Sequence, residues 1–184
     1  MLRQRKSKRE KREARDQALL RYTKQRQRNV LAKPGVNDFI LVLDHMKAGF
    51  NVAKIFRSAE AFGAAEIHLI DIGPFDPSPG KGAFKKVPAK FYDSFERSYQ
   101  ELVKRDYKIV ALSSDCEHLS TESVLDSKTA FVLGHEEWGR SFEMADYPDI
   151  RCLAIPQFGQ VESLNVAVAA SIMMYEYIRQ HPSR

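Results

Sequence analysis

Two blocks of small and polar residues in the last third of the chain could form a ligand site. The first block covers residues 131–141 (FVLGHEEWGRS) and the second covers residues 155–166 (IPQFGQVESLNV). Each follows an apolar segment that stops abruptly at small or polar residues. Ligands of α/β proteins bind outside the carboxyl ends of parallel strands, where loop backbone and a few side chains hold them. The two blocks therefore predict a binding site at one edge of a parallel sheet.

The rest of the chain alternates between apolar runs and helical patterns. This alternation predicts an α/β fold with a mostly parallel sheet and helices on both faces. The predicted strands are 39–44, 66–71, 107–113, 129–134 and 150–155, and the predicted helices are 51–62, 95–105 and 164–178. Residues 73–88 are rich in proline, glycine and lysine, which predicts a long exposed loop.

Charge is distributed unevenly along the 184 residues. Residues 1–33 hold 13 Lys and Arg against 3 acids, whereas residues 34–184 hold 16 Lys and Arg against 21 acids. A basic arm on a mildly acidic body is typical of nucleic-acid binding. We therefore expect two parts, a binding arm at 1–33 and one folded domain at 34–184. The alternative for the arm is a helical or disordered tail that only aids solubility.

The remaining composition favours a soluble cytoplasmic protein. No apolar run is long enough to span a membrane, and the N-terminus lacks the apolar stretch of a signal peptide. Cys116 and Cys152 lie in no C-x-x-C motif, so we expect reduced thiols and no disulfide. We predict no metal site, because the histidines are scattered without ligand spacing. They are His45, His68, His118, His135 and His181.

The two blocks resemble motifs of the SpoU (TrmH-like) branch of the SPOUT RNA methyltransferases, F-x-x-G-x-E-x-x-G-L-S and I-P-M-x-G-x-x-x-S-L-N-V. A third family motif is similar to residues 51–63, NVAKIFRSAEAFG, and the whole resemblance covers about residues 38–180. It implies a fold whose C-terminal third forms a deep trefoil knot. It also implies transfer of a methyl group from S-adenosylmethionine (SAM) to a ribose 2′-hydroxyl of tRNA or rRNA.

In that family, backbone groups of the knot loops hold the adenine and ribose of the cofactor. Glycine suits such loops, because without a Cβ its main chain can approach a ligand closely. The alternative is that Gly134, Gly139 and Gly159 only form turns. The resemblance assigns cofactor binding to Leu133, Gly134, Ile155, Gln157, Ser163, Leu164 and Asn165.

The resemblance also assigns five catalytic residues. Arg57 matches an arginine proposed to act on the target ribose; a guanidinium is a poor base, so we expect it to bind the target phosphate and polarise the hydroxyl. Ser163 and Asn165 would orient the methionine end of SAM and the attacking oxygen, and Glu136 would fix this arrangement by hydrogen bonding. Asn51 completes the set, although it stands where a helix N-cap is expected. A helical Arg or an isolated Glu is otherwise usually only solvated.

RNA binding is predicted for positive charges around these motifs. They are the basic arm within 1–33, Arg57, Lys85, Lys86 and Arg140. The final helix is apolar on nearly every face, more than one sheet can cover, which predicts a homodimer through the knot region.

The sequence departs from the family pattern at Ala53, Gln157 and Arg140, where the family has Gly, Met and Leu. His135 is predicted to be an ordinary loop histidine. Two other functional classes were weighed. A catalytically silent RNA-binding or ribosome-associated protein with the same fold is the main alternative. A nicotinamide-dependent enzyme is disfavoured, because no G-x-G-x-x-G follows a strand.

Overall fold

Parallel strands form a single sheet in the computed structural model, which describes residues 7–182. Within these residues the strands are β1 (Phe39–Asp44), β2 (Glu66–Ile70), β3 (Ala89–Tyr92), β4 (Lys108–Leu112), β5 (His118–Leu119), β6 (Thr129–Leu133) and β7 (Arg151–Ala154). Their order across the sheet is β3-β2-β1-β6-β4-β7-β5, and every neighbouring pair is parallel. β3 and β5 are short edge strands that no apolar run indicated.

Helices cover both faces of this sheet, as predicted. They are α1 (Lys8–Asn29), α2 (Phe50–Ala61), α3 (Phe95–Lys104) and α4 (Val166–Gln180). One face of β1, with Leu41 and Leu43, packs in the cluster that contains α2 and α4. The other face, with Ile40 and Val42, packs in the cluster that contains α3. Burial on both faces explains the unbroken apolar run of β1 and confirms the fold class. The trefoil knot stays a prediction.

The N-terminal end of α4 has a side-chain cap, whereas the N-terminal end of α2 has none. Asn165 is the N-cap of α4, and its side chain accepts a hydrogen bond from the Ala167 backbone N–H. The expected capping role of Asn51 is wrong, because the N-cap of α2 is Gly49 and Asn51 lies inside the first turn. The side chain of Asn51 is therefore free for contacts elsewhere. Gly63, with φ +65°, ends α2 in a left-handed conformation that suits glycine.

Most of the basic arm forms helix α1, and the second half of this helix packs on the domain. α1 begins with a capping box, in which Ser7 and Glu10 each accept a hydrogen bond from the other's backbone N–H. Near its end, the buried Asn29 donates to the carbonyls of Phe84 and Val87 and accepts from the N–H of Ala89. The arm is thus joined to the domain by buried polar contacts near the end of α1, whereas residues 7–17 are exposed.

The segment 73–88, predicted to be a long exposed loop, is largely packed. Its Phe75 and Phe84 are buried against Tyr22 of α1, with ring centroids 5.3 and 5.4 Å from the Tyr22 ring. Phe56 of α2 completes the cluster, 5.0 Å from Phe84. Proline and glycine correctly indicated irregular backbone, but the phenylalanines between them bury the segment. The prediction of exposure was wrong for this reason.

Cys116 and Cys152 form a disulfide, which corrects the expectation of two free thiols. Cys116 lies between β4 and β5, and Cys152 lies in β7. Because β5 pairs with β7, the two Cα atoms come within 5.5 Å of each other. Their separation of 36 positions hid this proximity in the sequence. In the part of the chain that the structure describes, no helix is long and apolar enough to cross a membrane.

Candidate active site

A cavity of about 620 Å³ lies at the carboxyl ends of β4, β6 and β7. Its walls come from the segments that follow these three strands and from the start of α4. The volume is in the range of small-molecule sites. The sheet edge that the sequence indicated therefore carries a cavity of the right size and place for a ligand.

The predicted cofactor-binding residues all line this one cavity. They are Leu133, Gly134, Ile155, Gln157, Ser163, Leu164 and Asn165. Sequence reasoning missed the segment after β4, where Ser113, Ser114 and Asp115 also line the wall. The same signal was present there, since the apolar run of β4 also stops at small and polar residues.

A chain of hydrogen bonds joins three of the predicted catalytic residues at the edge of the cavity. Asn51 Nδ2 donates to Glu136 Oε1 at 2.9 Å, and Asn165 Nδ2 donates to Asn51 Oδ1 at 3.3 Å. The Lys47 backbone N–H also donates to Glu136 Oε2, at 3.4 Å. The chain connects the loop after β6 with the first turn of α2 and the N-cap of α4. Ser163, two residues before Asn165, lines the same cavity.

These bonds set the charge of Glu136. Partial burial by itself would raise the pKa of its carboxyl group, but the hydrogen bonds from Asn51 and the Lys47 backbone favour the ionised form, and the pKa lies below its usual value. Glu136 is therefore a carboxylate at neutral pH. It places a negative charge beside the cavity.

The loop that carries Glu136 is anchored by Asp44, a buried residue that the sequence analysis did not single out. Asp44, at the end of β1, accepts from the Ser141 backbone N–H and from Ser141 Oγ, both at 2.7 Å. Hydrogen bonds to a buried carboxylate are stronger than those between neutral groups. The sequence predicts Asp44 only as the last residue of the strand 39–44, although it lies at the carboxyl end of that strand, the position at which ligand-binding residues of parallel sheets are expected.

Two glycines shape the same loop. A Cβ on Gly134 would lie 2.5 Å from the Gly139 carbonyl carbon, so no larger residue fits there without a shift of the loop. Gly139 has φ +72°, and it exchanges two backbone hydrogen bonds with His135, of 2.7 and 3.0 Å. These contacts close the loop on itself. Gly134 and Gly139 are therefore needed to form this turn, as the alternative interpretation of the sequence proposed.

Arg57 does not line this cavity. It is exposed on α2 and borders a second cavity, of about 650 Å³, between α2 and α4. Asn165 lines both cavities, so the two spaces meet at the start of α4. Apolar side chains of α4, among them Val168 and Ile172, line the rest of the second cavity. The structure places Arg57 next to the candidate site but outside it.

The predicted RNA-binding residues are spread over the surface. Arg140 lines the first cavity. Lys85 lies in a short 3₁₀ turn beside α1, and Lys86 forms an ion pair with Glu60 at 2.7 Å. Neither lysine lines either cavity. Among the predicted RNA contacts within the domain, Arg140 and Arg57 are the two that border the candidate site.

One cluster under α3 has the donor types of a metal site. One ligand atom each of Glu66, His68 and Glu101 lie within 4.8 Å of one another. Lys90 and Arg105 already form ion pairs with both carboxylates. Burial would raise the pKa of Glu66, but hydrogen bonds from His68 and Arg105 lower it to about 2. The two basic side chains neutralise the cluster, so its geometry is explained without an ion.

A parallel sheet with helices on both faces, and a cavity at the strand ends whose wall includes Glu136 and Asn165, is the arrangement expected of a SPOUT-type methyltransferase domain. Comparison with known proteins agrees. The model of the SpoU rRNA Methylase family matches residues 38–175. The chain therefore belongs to this family.

Individual relatives extend the comparison. The chain is 32% identical over 154 residues to the 23S rRNA (guanosine-2′-O-)-methyltransferase RlmB of Nitrosomonas europaea, covering 79% of this chain and 57% of the relative. It is 29% identical over 149 residues to the tRNA (guanosine(18)-2′-O)-methyltransferase of Thermus thermophilus, covering 78% of this chain and 75% of the relative. The chain thus spans less than two thirds of the rRNA enzyme it matches.

Solved structures show the same fold. The A. aeolicus TrmH/SpoU tRNA modifying enzyme superimposes with a TM-score of 0.71 at 27% identity, covering 89% of this chain and 85% of that chain. The SpoU methyltransferase AviRb from Streptomyces viridochromogenes, in complex with the cofactor AdoMet, superimposes with a TM-score of 0.72 at 25% identity. The match covers 82% of this chain and 60% of that chain.

Asp44→Ala should loosen the loop after β6 without unfolding the sheet. The substitution removes both acceptors of Ser141, and hydrogen bonds of this kind contribute enough that exchange of the Ser141 amide hydrogen should accelerate about ten- to a hundredfold. Hydrogen exchange followed by NMR measures this directly. The control is Asp93→Ala, which removes an exposed carboxylate after β3 that is paired only with Arg97 among the described residues. Unchanged protection of Ser141 in Asp44→Ala would contradict the anchoring role.

Proposed function

We propose that this chain is a SAM-dependent methyltransferase that acts on a ribose 2′-hydroxyl of tRNA or rRNA. The observation that carries the proposal is the convergence of all seven family-assigned cofactor residues on one cavity, with Glu136, Asn51 and Asn165 hydrogen-bonded at its edge. The matched relatives named above carry 2′-O-methyltransferase names for both rRNA and tRNA, and AviRb holds AdoMet.

The residues around the cavity suit SAM. Gln157 Oε1 is buried at the cavity without a hydrogen-bond donor among the described residues. An adenine amino group is a donor that would satisfy it, and a buried acceptor without a partner is otherwise costly. The carboxylate of Glu136 would favour a positively charged sulfonium. We assign Leu133, Gly134, Ile155 and the segment 163–165 to backbone and apolar contacts with the cofactor.

When bound, SAM supplies an electrophilic methyl carbon, so this chain must chiefly align an oxygen with it and exclude water. Ser163 and Asn165 orient the reacting groups at the start of α4. Asn51 fixes Asn165 and is itself fixed by Glu136. Arg57 binds the target phosphate and polarises the 2′-hydroxyl, whose proton leaves to phosphate, solvent or a neighbouring group.

A catalytically silent RNA-binding protein with the same fold is the competing proposal. It explains the basic arm but gives no reason for the intact residues around the cavity. Incubation of the chain with isotopically labelled SAM and total tRNA or rRNA, followed by mapping of methylated riboses, separates the two. Label in a single ribose position supports the enzyme, whereas binding of RNA without any label supports the silent protein.

We place the activity in the cytoplasm, where tRNA and rRNA are found. The disulfide between Cys116 and Cys152 is uncommon for that compartment. RNA capture is assigned to the first half of α1 and to the residues before it, with Arg140 and Arg57 closer to the site. The remainder of α1 is assigned to attachment, since Asn29 is buried against the domain.

Arg57→Ala should strongly slow methyl transfer while SAM affinity stays near the wild-type value, because Arg57 borders the neighbouring cavity and is proposed to contact the RNA. Loss of a charged contact made mainly in the transition state costs about 2 to 4 kcal/mol, a fall in rate of roughly 30- to 1,000-fold. Single-turnover transfer and calorimetric SAM binding report the two effects. Lys54→Ala, which removes another exposed basic residue of α2, is the matched control. Near-normal turnover in Arg57→Ala would exclude the residue from the mechanism.

The cavity between α2 and α4 is proposed to be closed by a second copy of the chain. Exposed apolar side chains on α4, including Val168, Ile172 and Tyr175, border it. Arg57 of one subunit would then complete the SAM site of the other.

Mixing the inactive Arg57→Ala and Asn165→Ala variants should restore activity, because a mixed dimer keeps one site with both residues intact. Random exchange gives half mixed dimers, and hence about a quarter of wild-type activity. Each variant alone at the same total concentration is the control. Absence of any recovery, or a monomer in sedimentation at micromolar concentration, would contradict a shared site.

Removal of residues 1–17 should weaken RNA binding and leave SAM binding unchanged. This segment holds 8 Lys and Arg against 3 acids, and it ends before Tyr22 and Asn29, which pack on the domain. If it neutralises about five phosphates, the slope of log affinity against log salt should fall in magnitude by roughly 3.5 to 4.5. Fluorescence anisotropy with labelled RNA across a salt series measures the slope. An unchanged slope would make this part of α1 a solubility tail.

A further inference from the structure

Trp138 is the only tryptophan in the chain, and it combines two properties that rarely occur together. It lines the 620 Å³ cavity, yet it is 80% exposed to solvent. A scattered exposed apolar residue needs no explanation by itself. A large indole at the rim of a proposed catalytic cavity, however, is placed to contact the substrate when it binds.

The indole is held in a defined orientation. Its ring stacks on the imidazole of His135, with centroids 4.2 Å apart and planes 11° from parallel. His135 Nδ1 accepts from the Glu137 N–H at 3.0 Å and from the Trp138 N–H at 3.4 Å, which fixes the imidazole in turn. Together with the backbone bonds between His135 and Gly139, these contacts build a rigid platform. A preorganised aromatic surface loses little entropy on binding.

The chemistry of the proposed substrate places a nucleobase next to this platform. The 2′-hydroxyl and the base are attached to adjacent carbons of the same ribose. When that hydroxyl points into the cavity, its base lies within one ribose of it, which is within reach of Trp138 at the rim. A base in that position has left its stack in the RNA, and an aromatic side chain commonly replaces the lost contact. Arg140, which also lines the cavity, provides positive charge for the adjoining phosphate.

We propose that Trp138, supported by His135, stacks on the unpaired base of the nucleotide that is methylated. The inference rests on the proposed function and adds to it a class of substrate, a nucleotide that is unpaired or turned out of its helix when it reacts. Trp138 is thus a specificity-determining residue for RNA, and SAM binding does not depend on it.

The test compares RNA that carries its normal base at the mapped ribose with RNA that is abasic there. For the wild-type chain, removal of the base should lower kcat/KM by about 5- to 150-fold, the effect of one stacked base. Trp138→Ala should show a fall of the same size on normal RNA and no further fall on abasic RNA. Trp138→Phe should recover part of the activity. All variants should bind SAM with wild-type affinity.

Phe158→Ala is the matched control. Phe158 is 98% exposed beside Gln157, and it has no ring contact with another described residue. Its loss should leave kcat/KM close to the wild-type value. An equal loss in Phe158→Ala, or a loss in Trp138→Ala that persists on abasic RNA, would overturn the stacking assignment. Absence of SAM binding and transfer in the wild-type chain would instead contradict the proposed function.

Intrinsic fluorescence gives a second readout that needs no turnover. Because Trp138 is the only tryptophan, selective excitation of indole reports this one position. Single-stranded RNA should quench it, and an abasic oligonucleotide of equal length, bound to saturation, should not. Equal quenching by both, or none by either, would overturn the proposal whatever the activity of the chain.

Discussion

The hydrogen bonds that run from Glu136 through Asn51 to Asn165 join parts of the chain that are far apart in sequence, separated by 85 and 114 residues. Asn51 uses both ends of its amide, donating to Glu136 and accepting from Asn165. A residue with only donors or only acceptors could not replace it. The loop after β6 and the start of α4 thereby take their positions from α2. These hydrogen bonds hold the segments of the cavity wall together, and Asp44 anchors the loop after β6 through Ser141.

Helix α2 therefore positions the other segments of the proposed site. Its own position is fixed by close packing. A Cβ on Gly80 would lie 2.7 Å from the Ala53 carbonyl oxygen, so the segment 73–88 can lie against α2 only with glycine at that point. The aromatic cluster around Phe56 and Phe84 extends this contact to α1. A basic helix that binds RNA would thus be attached to the same element that carries Asn51 and Arg57. Capture and alignment of the substrate would then share one rigid support.

The sequence was sufficient for the parts of the structure that depend on local pattern. β1 and α3 fall where apolar runs and helical periodicity put them. The family motifs led to every proposed cofactor contact, because these residues lie at the motif spacing within two short segments of the chain. Features that depend on long-range pairing were missed or wrong. The disulfide of Cys116 follows from β5 lying beside β7, and the role of Asp44 depends on where Ser141 lies in space. Neither the pairing of β5 with β7 nor the contact between Asp44 and Ser141 produces a periodic pattern in the sequence.

We propose that the cavity is a SAM site whose charge and shape depend on the chain of hydrogen bonds at its edge. Isothermal titration of SAM into the wild-type chain and into Glu136→Gln tests it most directly, since the substitution keeps the shape of the side chain and removes its negative charge. We expect saturable binding of SAM to the wild type and clearly weaker binding to the variant. No binding to the folded wild-type chain, or equal affinity in both proteins, would contradict it.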